Sequence, residues 1–427
     1  MFARLLSWAE TRRGFFMSVG VVSVVFALLR LVRITFPSSR VFDEVYSPAF
    51  AWKFLHGEAF FDVHPILAEL PHTIGLLLFG DTPLGWRFSP WLWGILFTWG
   101  TALTAWLLTG RRLAGVLAAL LVSLDTAIFI YGRTGLPDMF LLSQFSLALV
   151  LFFASARIQK RPWAILAALG SGVFLGNVVA TKWLGLAGIV SLWLWMGIHL
   201  TLFFVRRLRG TRAGVLLLPN IPWWLYPVCF LLVPAGTYGL WLLPLLGWHW
   251  PPAVLWQKIT DWHRTVWNYH AYLDATHPYG SKWWEWPILR HPVLFFYEAE
   301  GNGRRVINAS GNVVLWWSGF AALIVGALSL FRTFRAAKLW AVGSALTFWL
   351  PWIFISRVSF NYHYFVPFFF EMLLLTLLLF WLLDRREYRA LALGFLAATV
   401  VGFVVLYPSA TGLLIPSRIT NVRWLFP

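Results

Sequence analysis

The 427-residue chain is 59% hydrophobic and only 12% charged, with a mean hydropathy of +0.71, which excludes an ordinary soluble globular protein. Its formal charge of +17 would suggest nucleic acid in a soluble chain, but most Lys and Arg lie in short segments between apolar runs, where they set membrane orientation. The single Cys229 excludes an intrachain disulfide and a thiolate metal cluster.

Taken in chain order, the first apolar run, near 15–36, follows "MFARLLSWAETRRGFF". It is long and lacks a small-residue cleavage pattern, so it reads as a retained span and not a signal peptide. Residues 37–82 then break the apolar pattern with "FDEVY" and "FFDVHPILAEL". Spans near 83–108, 113–131, 136–156, 163–180, 183–205 and 222–246 follow. A second long polar segment, 247–310, carries His249, His263, His270, His277 and His291 among Trp and Tyr, a pattern that suits interfacial packing better than a zinc site. Its Glu298 and Glu300 suit either an acceptor contact or pairing with Arg304 and Arg305. The last spans fall near 311–331, 339–355, 363–383 and 390–407. The pattern predicts an all-α polytopic membrane protein with about eleven transmembrane helices, since irregular backbone cannot satisfy its polar groups in hydrocarbon.

Charge orients these spans. With the N-terminus cytoplasmic, Arg12/Arg13, Arg111/Arg112, Arg157/Lys160/Arg161, Arg206/Arg207/Arg209/Arg212, Arg332/Arg335/Lys338 and Arg385/Arg386/Arg389 all fall on the cytoplasmic face. The C-terminus and both long segments, 37–82 and 247–310, then face outward. No repeat of 20 to 50 residues and no separate soluble domain is visible, so 1–427 reads as a single membrane-embedded domain. The 29 Trp suit an interfacial belt and amphipathic segments on the bilayer.

Candidate chemistry gathers on the outward side. Asp43 and Glu44 are adjacent, so their side chains diverge: one can face a pocket while the other orients a second group. A carboxylate at the mouth of a membrane cavity can accept a hydroxyl proton, position a cation, or simply be solvated. Asp62 and His64 form a second cluster flanked by aromatics, where low dielectric shifts proton affinities. Asp43, Glu44, Asp62, His64 and His72 include possible metal ligands, but their spacing fits no recognised cage and neither HExxH nor CxxC is present. No metal is therefore expected to be required, with a catalytic divalent ion the less favoured alternative. Arg87, Arg133, Lys182, Arg357 and Lys282 are cations at the outer boundary, with Asp138 in "RTGLPD" and His363 in "NYHYFVP" beside them. Each cation alone is explained by snorkelling or by pairing with Asp138 or Asp81. Together, two or three convergent donors can hold a phosphate, and an acid beside an anion-binding wall suits transfer from a lipid phosphate.

The ordered set "FDEVY", "FFDVHPILAEL", "GWRFSP", "RTGLPDMFL", "ATKWLGL", "HPYGSKWWEWPI" and "NYHYFVP" resembles the protein O-mannosyltransferases, which are similar to other membrane-embedded glycosyltransferases of the GT-C type. The likeness spans most of the chain. It implies eleven spans, a polyprenyl- or dolichyl-phosphate-mannose donor, a Ser/Thr hydroxyl of a secreted protein as acceptor, and an active site on the extracytoplasmic face of the cell membrane. It further implies that Asp43 is the catalytic base with Glu44 shaping the site, that Asp62 and His64 flank the acceptor path, and that Arg87 lies near the donor phosphate. Arg133, Asp138, Lys182, Arg357 and His363 join them as substrate-binding candidates. The implied reaction is a single inverting displacement in which cationic side chains take the place of a metal.

The chain departs from the family pattern at Tyr46, at Ile66 after Pro65, and at Glu69, where a basic residue would be expected. It is also too short for the β-trefoil domain of eukaryotic relatives, which indicates a compact, prokaryotic-like form. Two alternatives stay open. One is a GT-C transferase moving another sugar to a lipid or cell-wall glycan. The other is a lipid-phosphate transporter, a class that more often shows repeated halves or helices broken at the midplane.

Overall fold

The computed structural model of the chain describes residues 2–209, 217–247, 249–330 and 335–416. Arg212 and Arg332, used above for orientation, lie outside the described residues.

Among the described residues, eight helices are long and apolar enough to cross a bilayer: Arg12–Leu31, Pro83–Thr109, Asp138–Ser155, Arg161–Thr181, Trp183–Leu208, Leu225–Leu246, Asn361–Asp384 and Arg386–Thr411. Each matches an expected span, because a run of about 20 apolar residues at about 1.5 Å rise covers the hydrocarbon thickness. The three remaining expected spans are present as shorter helices. The run 113–131 divides into Arg112–Ser123 and Thr126–Tyr131, because the Asp125 carboxylate accepts from Ile128 N at 2.8 Å and starts a new helix there. The run 311–331 contains the 17-residue helix Val313–Ser329. The run 339–355 begins in the 14-residue helix Ala336–Trp349 and tightens into the 3₁₀ turn Leu350–Phe354 at Pro351.

Asp138–Ser155 and Asn361–Asp384 are the most enclosed spans, with 72% of each buried, against 22% for Leu225–Leu246 and Arg386–Thr411. The former therefore form the bundle centre, and the latter present most of their surface to lipid. Small residues allow the close approaches: a Cβ on Gly172 would stand 2.1 Å from the Cys229 carbonyl oxygen. Polar pairs such as Ser191–Ser344 at 2.7 Å stitch helices distant in sequence.

The two ends of the bundle differ in chemistry. At one end Glu10 receives Arg111 Nε at 3.0 Å and Arg112 N at 2.9 Å, while Arg157 Nε donates to Leu107 O at 2.8 Å. At the other end lie the short elements Phe42–Val45, Ser47–Leu55, Ile66–Ala68 and His72–Phe79, together with the amphipathic helix Pro252–Tyr272.

A three-stranded antiparallel sheet, which periodicity did not reveal, caps this second end. Leu294–Glu300 pairs with Gly303–Asn308, which pairs with Leu414–Pro416. Gly301, at φ +55°, takes the first central position of the hairpin turn, where positive φ is needed. The third strand comes from more than 100 residues further along the chain, so only tertiary pairing completes the sheet.

Candidate active site

The 3₁₀ turn Phe42–Val45 carries the first acids, and Phe42 sets its position. With φ +47°, Phe42 occupies a region that costs a non-glycine residue of order 1–3 kcal/mol and needs compensation. Its ring supplies that compensation. It stacks on Phe295 of the first strand at 5.1 Å and meets Phe360 edge-on at 5.5 Å. The sheet and the segment before Asn361 thereby clamp the residue next to Asp43.

Glu44 and Asp43 diverge as adjacent residues should. Glu44 turns inward and is fully buried, where its Oε1 accepts from Arg87 Nε at 2.8 Å and Gly135 N at 2.7 Å. Its Oε2 accepts from Arg87 Nη2 at 2.8 Å and Val41 N at 3.1 Å. Arg87, 2% exposed, spends its other donors on Ile34 O and Pro37 O, both at 2.9 Å, and on Ser39 O at 3.2 Å. All five guanidinium N–H groups are thus engaged. Arg87 is expected near the donor phosphate; with its donors engaged, a direct contact would require the phosphate to displace Glu44 or a backbone carbonyl. Arg87 instead ties the 34–44 segment to the helix Pro83–Thr109.

Asp43 turns the other way. It is half-buried, and among the described residues its carboxylate has no hydrogen-bond donor. Burial pushes it up to about 6; Lys182 pulls it down, and the charges of Asp138 and Asp62 push it up further. Lys182, at the end of Arg161–Thr181, holds Asp138 at 2.7 Å and places its Nζ 5.1 Å from the Tyr362 ring centre. Asp62 Oδ1 caps the "DVH" turn by accepting from His64 N at 3.0 Å, and the buried carboxyl of Glu69 is its electrostatic neighbour.

His64 and His270 face each other with ring centres 6.0 Å apart, and His270 Nε2 lies 3.2 Å from Val63 O. Burial drives His64 well below its ordinary value and His270 down to about 4, with Lys182 and Arg357 adding to both shifts. Both rings are therefore neutral near pH 7. Arg357 is half-buried, and its guanidinium makes one hydrogen bond among the described residues, to Val358 O at 3.3 Å. Arg133 lies apart: Nη2 donates to Arg33 O at 2.7 Å and Nη1 to Ala410 O at 3.4 Å, fastening its loop to the end of Arg386–Thr411. His363 packs among Trp286, Trp352 and Tyr362, with Nδ1 2.9 Å from Phe360 O.

The structure thus brings Asp43, Asp62, His64, Asp138, Lys182 and Arg357 into one electrostatic neighbourhood. Glu44, Arg87, Arg133 and His363 stand in the frame around it. Two participants escaped the sequence reading. Tyr362 stands beside His363 in "NYHYFVP", where a ring next to a cationic site is a recognisable signal. Glu69 stands out in the sequence only as a departure, because its neighbour Asp62 lies on a turn that spacing cannot place. Among the described residues no group of three or more His, Cys, Asp or Glu is arranged to ligate a metal ion.

The family model described as dolichyl-phosphate-mannose-protein mannosyltransferase matches residues 20–86 and 72–241, more than half of the chain. A second, the C-terminal four TMM region of protein O-mannosyltransferase, matches 255–426. The chain belongs to the protein O-mannosyltransferase family. As a member of that family it is a mannosyltransferase, and Asp43, Asp62 and Lys182 all lie within the regions matched. A relative in Mycolicibacterium smegmatis, polyprenol-phosphate-mannose–protein mannosyltransferase, is 27% identical across 99% of this chain and 93% of its own length. The protein O-mannosyltransferase Pmt1-Pmt2 complex of S. cerevisiae, solved bound to the sugar donor, superposes with a TM-score of 0.78 at 15% identity, covering 96% of this chain and 92% of the other. ArnT from Cupriavidus metallidurans superposes at 0.58 with 14% identity over 92% and 76% of the two chains. At these identities the superpositions show the fold, which is of the GT-C type shared by membrane glycosyltransferases.

Proposed function

We propose that this mannosyltransferase moves mannose from a polyprenyl-phosphate-mannose donor to Ser or Thr hydroxyls of secreted proteins, at a site on the extracytoplasmic face of the cell membrane, with inversion and with Asp43 as general base. The observation that carries the base assignment is Asp43 itself: a half-buried carboxylate without a hydrogen-bond donor among the described residues, raised to about 6 and within the field of Lys182. A carboxylate with that affinity is ionised near pH 7 yet basic enough to receive a proton in the transition state.

In the proposed step the acceptor oxygen attacks C1 of β-linked mannose while Asp43 takes the hydroxyl proton. The bond from C1 to the phosphate oxygen breaks, and its electron pair leaves with the lipid phosphate. No covalent enzyme intermediate forms. Among the described residues Arg357 retains unengaged donors near the site, whereas Arg87 is saturated, so Arg357 together with Lys182 is assigned the developing phosphate charge. The outer location rests on the arginine clusters at the opposite end of the bundle, and the count of eleven crossings on the three short helices joining the eight long ones. The names of the mycobacterial relatives support the lipid donor and the protein acceptor, and the proposed outward face of the site makes that acceptor a secreted one.

Purified protein supplied with radiolabelled polyprenyl-phosphate mannose and a Ser/Thr-rich peptide is expected to yield a protease-sensitive labelled product, with or without chelator. Label appearing only in glycolipid would assign the chain to lipid or cell-wall glycan transfer. Uptake of the donor without cleavage would favour a transporter.

A further inference from the structure

Glu69 is buried at 2% exposure and Asp62 at 6%, and the two carboxyl groups are electrostatic neighbours. Asp62 Oδ2 and Glu69 Oε2 are both buried, and among the described residues neither meets a hydrogen-bond donor. Neighbouring buried carboxyl oxygens that meet no donor can satisfy each other only if one group keeps a proton, because two carboxylates are both acceptors. We infer that Glu69 is a positioning residue for the transfer reaction, sharing one proton with Asp62 so that the pair carries a single negative charge and holds the 62–64 turn beside Asp43. The inference rests on the proposed role of Asp43 as base.

The surroundings favour retention of that proton. From the helix Ser47–Leu55, Ser47 Oγ reaches Glu69 Oε1 at 3.5 Å. From the helix His72–Phe79, His72 Nδ1 lies 3.3 Å from Glu69 O, and burial depresses this ring to about 3, so it brings no positive charge. The helix Val233–Leu246, packed against the turn Ile66–Ala68, carries no Asp, Glu, Lys, Arg or His. Lys182 is the nearby cation, and it is committed to Asp138 at 2.7 Å. Burial and the Asp62 charge together push Glu69 well above the ordinary carboxyl range.

The consequence reaches Asp43. The Asp62 charge already pushes Asp43 up, and ionising Glu69 would place a second negative charge behind it. It would also drive Asp62 away from Glu69 and loosen the cap on His64 N. A neutral amide at 69 keeps a donor toward Asp62 and removes the titration. A basic residue there would give Asp62 an ion-pair partner and the site a different charge balance.

Two measurements on the full-length purified protein decide the matter. In wild type, kcat/KM is expected to fall on the alkaline side as the shared proton is lost; in Glu69→Gln that limb should disappear while the acid limb remains. Glu69→Ala, which strips Asp62 of its donor, should lose about tenfold in kcat/KM. An alkaline limb unchanged in Glu69→Gln overturns the inference. Infrared difference spectra supply a readout independent of transfer: a protonated-carboxyl stretch in wild type near pH 7 should bleach as pH rises and be missing from both Glu69→Gln and Asp62→Asn. Wild type lacking a band that bleaches, or one retained in both variants, also overturns it. Because this spectrum needs no substrate, it decides the carboxyl pair even if the protein transfers a sugar other than mannose.

Discussion

Arg87 and Glu44 form a two-pronged ion pair, Nε to Oε1 and Nη2 to Oε2, each at 2.8 Å, in a site almost closed to solvent. Removing one partner of such a pair strands a buried charge, which costs ~3–5 kcal/mol. Arg87→Ala and Glu44→Ala should therefore each lower the thermal unfolding midpoint of the detergent-purified protein sharply. A Glu44→Leu/Arg87→Met double variant should not recover stability, because Val41 N, Gly135 N and the carbonyls of Ile34, Pro37 and Ser39 lose their partners as well. Recovery of the wild-type midpoint would show that the pair acts alone and not as the centre of a network.

Asp43→Asn preserves the size of the side chain and removes its basicity. Turnover should fall by about 10²–10⁴-fold, the usual contribution of a general base, while donor binding measured by equilibrium dialysis stays within a few-fold of wild type. Unchanged turnover would remove Asp43 from the mechanism.

The sign of the pH dependence follows from which form of Asp43 is active. The base must be ionised, so with an affinity raised to about 6 the rate should decline as pH falls through about 6. Lys182 lowers that value and Asp138 raises it. Lys182→Met should therefore move the acid limb of kcat/KM to higher pH, Asp138→Asn should move it lower, and the double variant should fall between. A limb that stays in place across all three would mean another group controls it.

Arg357 is the cation assigned to the leaving phosphate that still has donors to give. Its removal in Arg357→Ala should weaken donor binding by about 10- to 100-fold, the range expected for a lost charged hydrogen bond of ~1.5–3 kcal/mol. The same substitution should raise the proton affinities of His64 and His270, which its charge now depresses, and NMR titration of the two rings would register this. An unaltered donor affinity would transfer the phosphate role to Lys182.

Most of the fold was legible because membrane spans are written locally. Apolar length alone locates Arg12–Leu31 or Arg161–Thr181. The legibility failed where a local signal was overridden or missing. Asp125 splits one apolar run by capping a helix inside it, and the strand Leu414–Pro416 is too short to show a period and exists through its pairing with Gly303–Asn308. At the site, the acids of 43–64 stood out because carboxylates are rare in so apolar a chain, but their partners did not.

By itself, the sequence determined that this is a polytopic helical membrane protein of the O-mannosyltransferase pattern with its acids and cations at one end, since hydrophobic runs, charge bias and ordered motifs are properties of the linear chain. Tertiary structure alone decided how those charged residues divide their work. Arg87 and Lys182 look alike as outer cations, yet Arg87 is consumed by Glu44 and by carbonyls about fifty residues upstream, while Lys182 reaches Asp138 at the edge of the Asp43 neighbourhood. The physical reason is that burial and hydrogen-bond saturation are set by groups distant in sequence. Those contacts make one cation a brace and leave another beside Asp43, the proposed base.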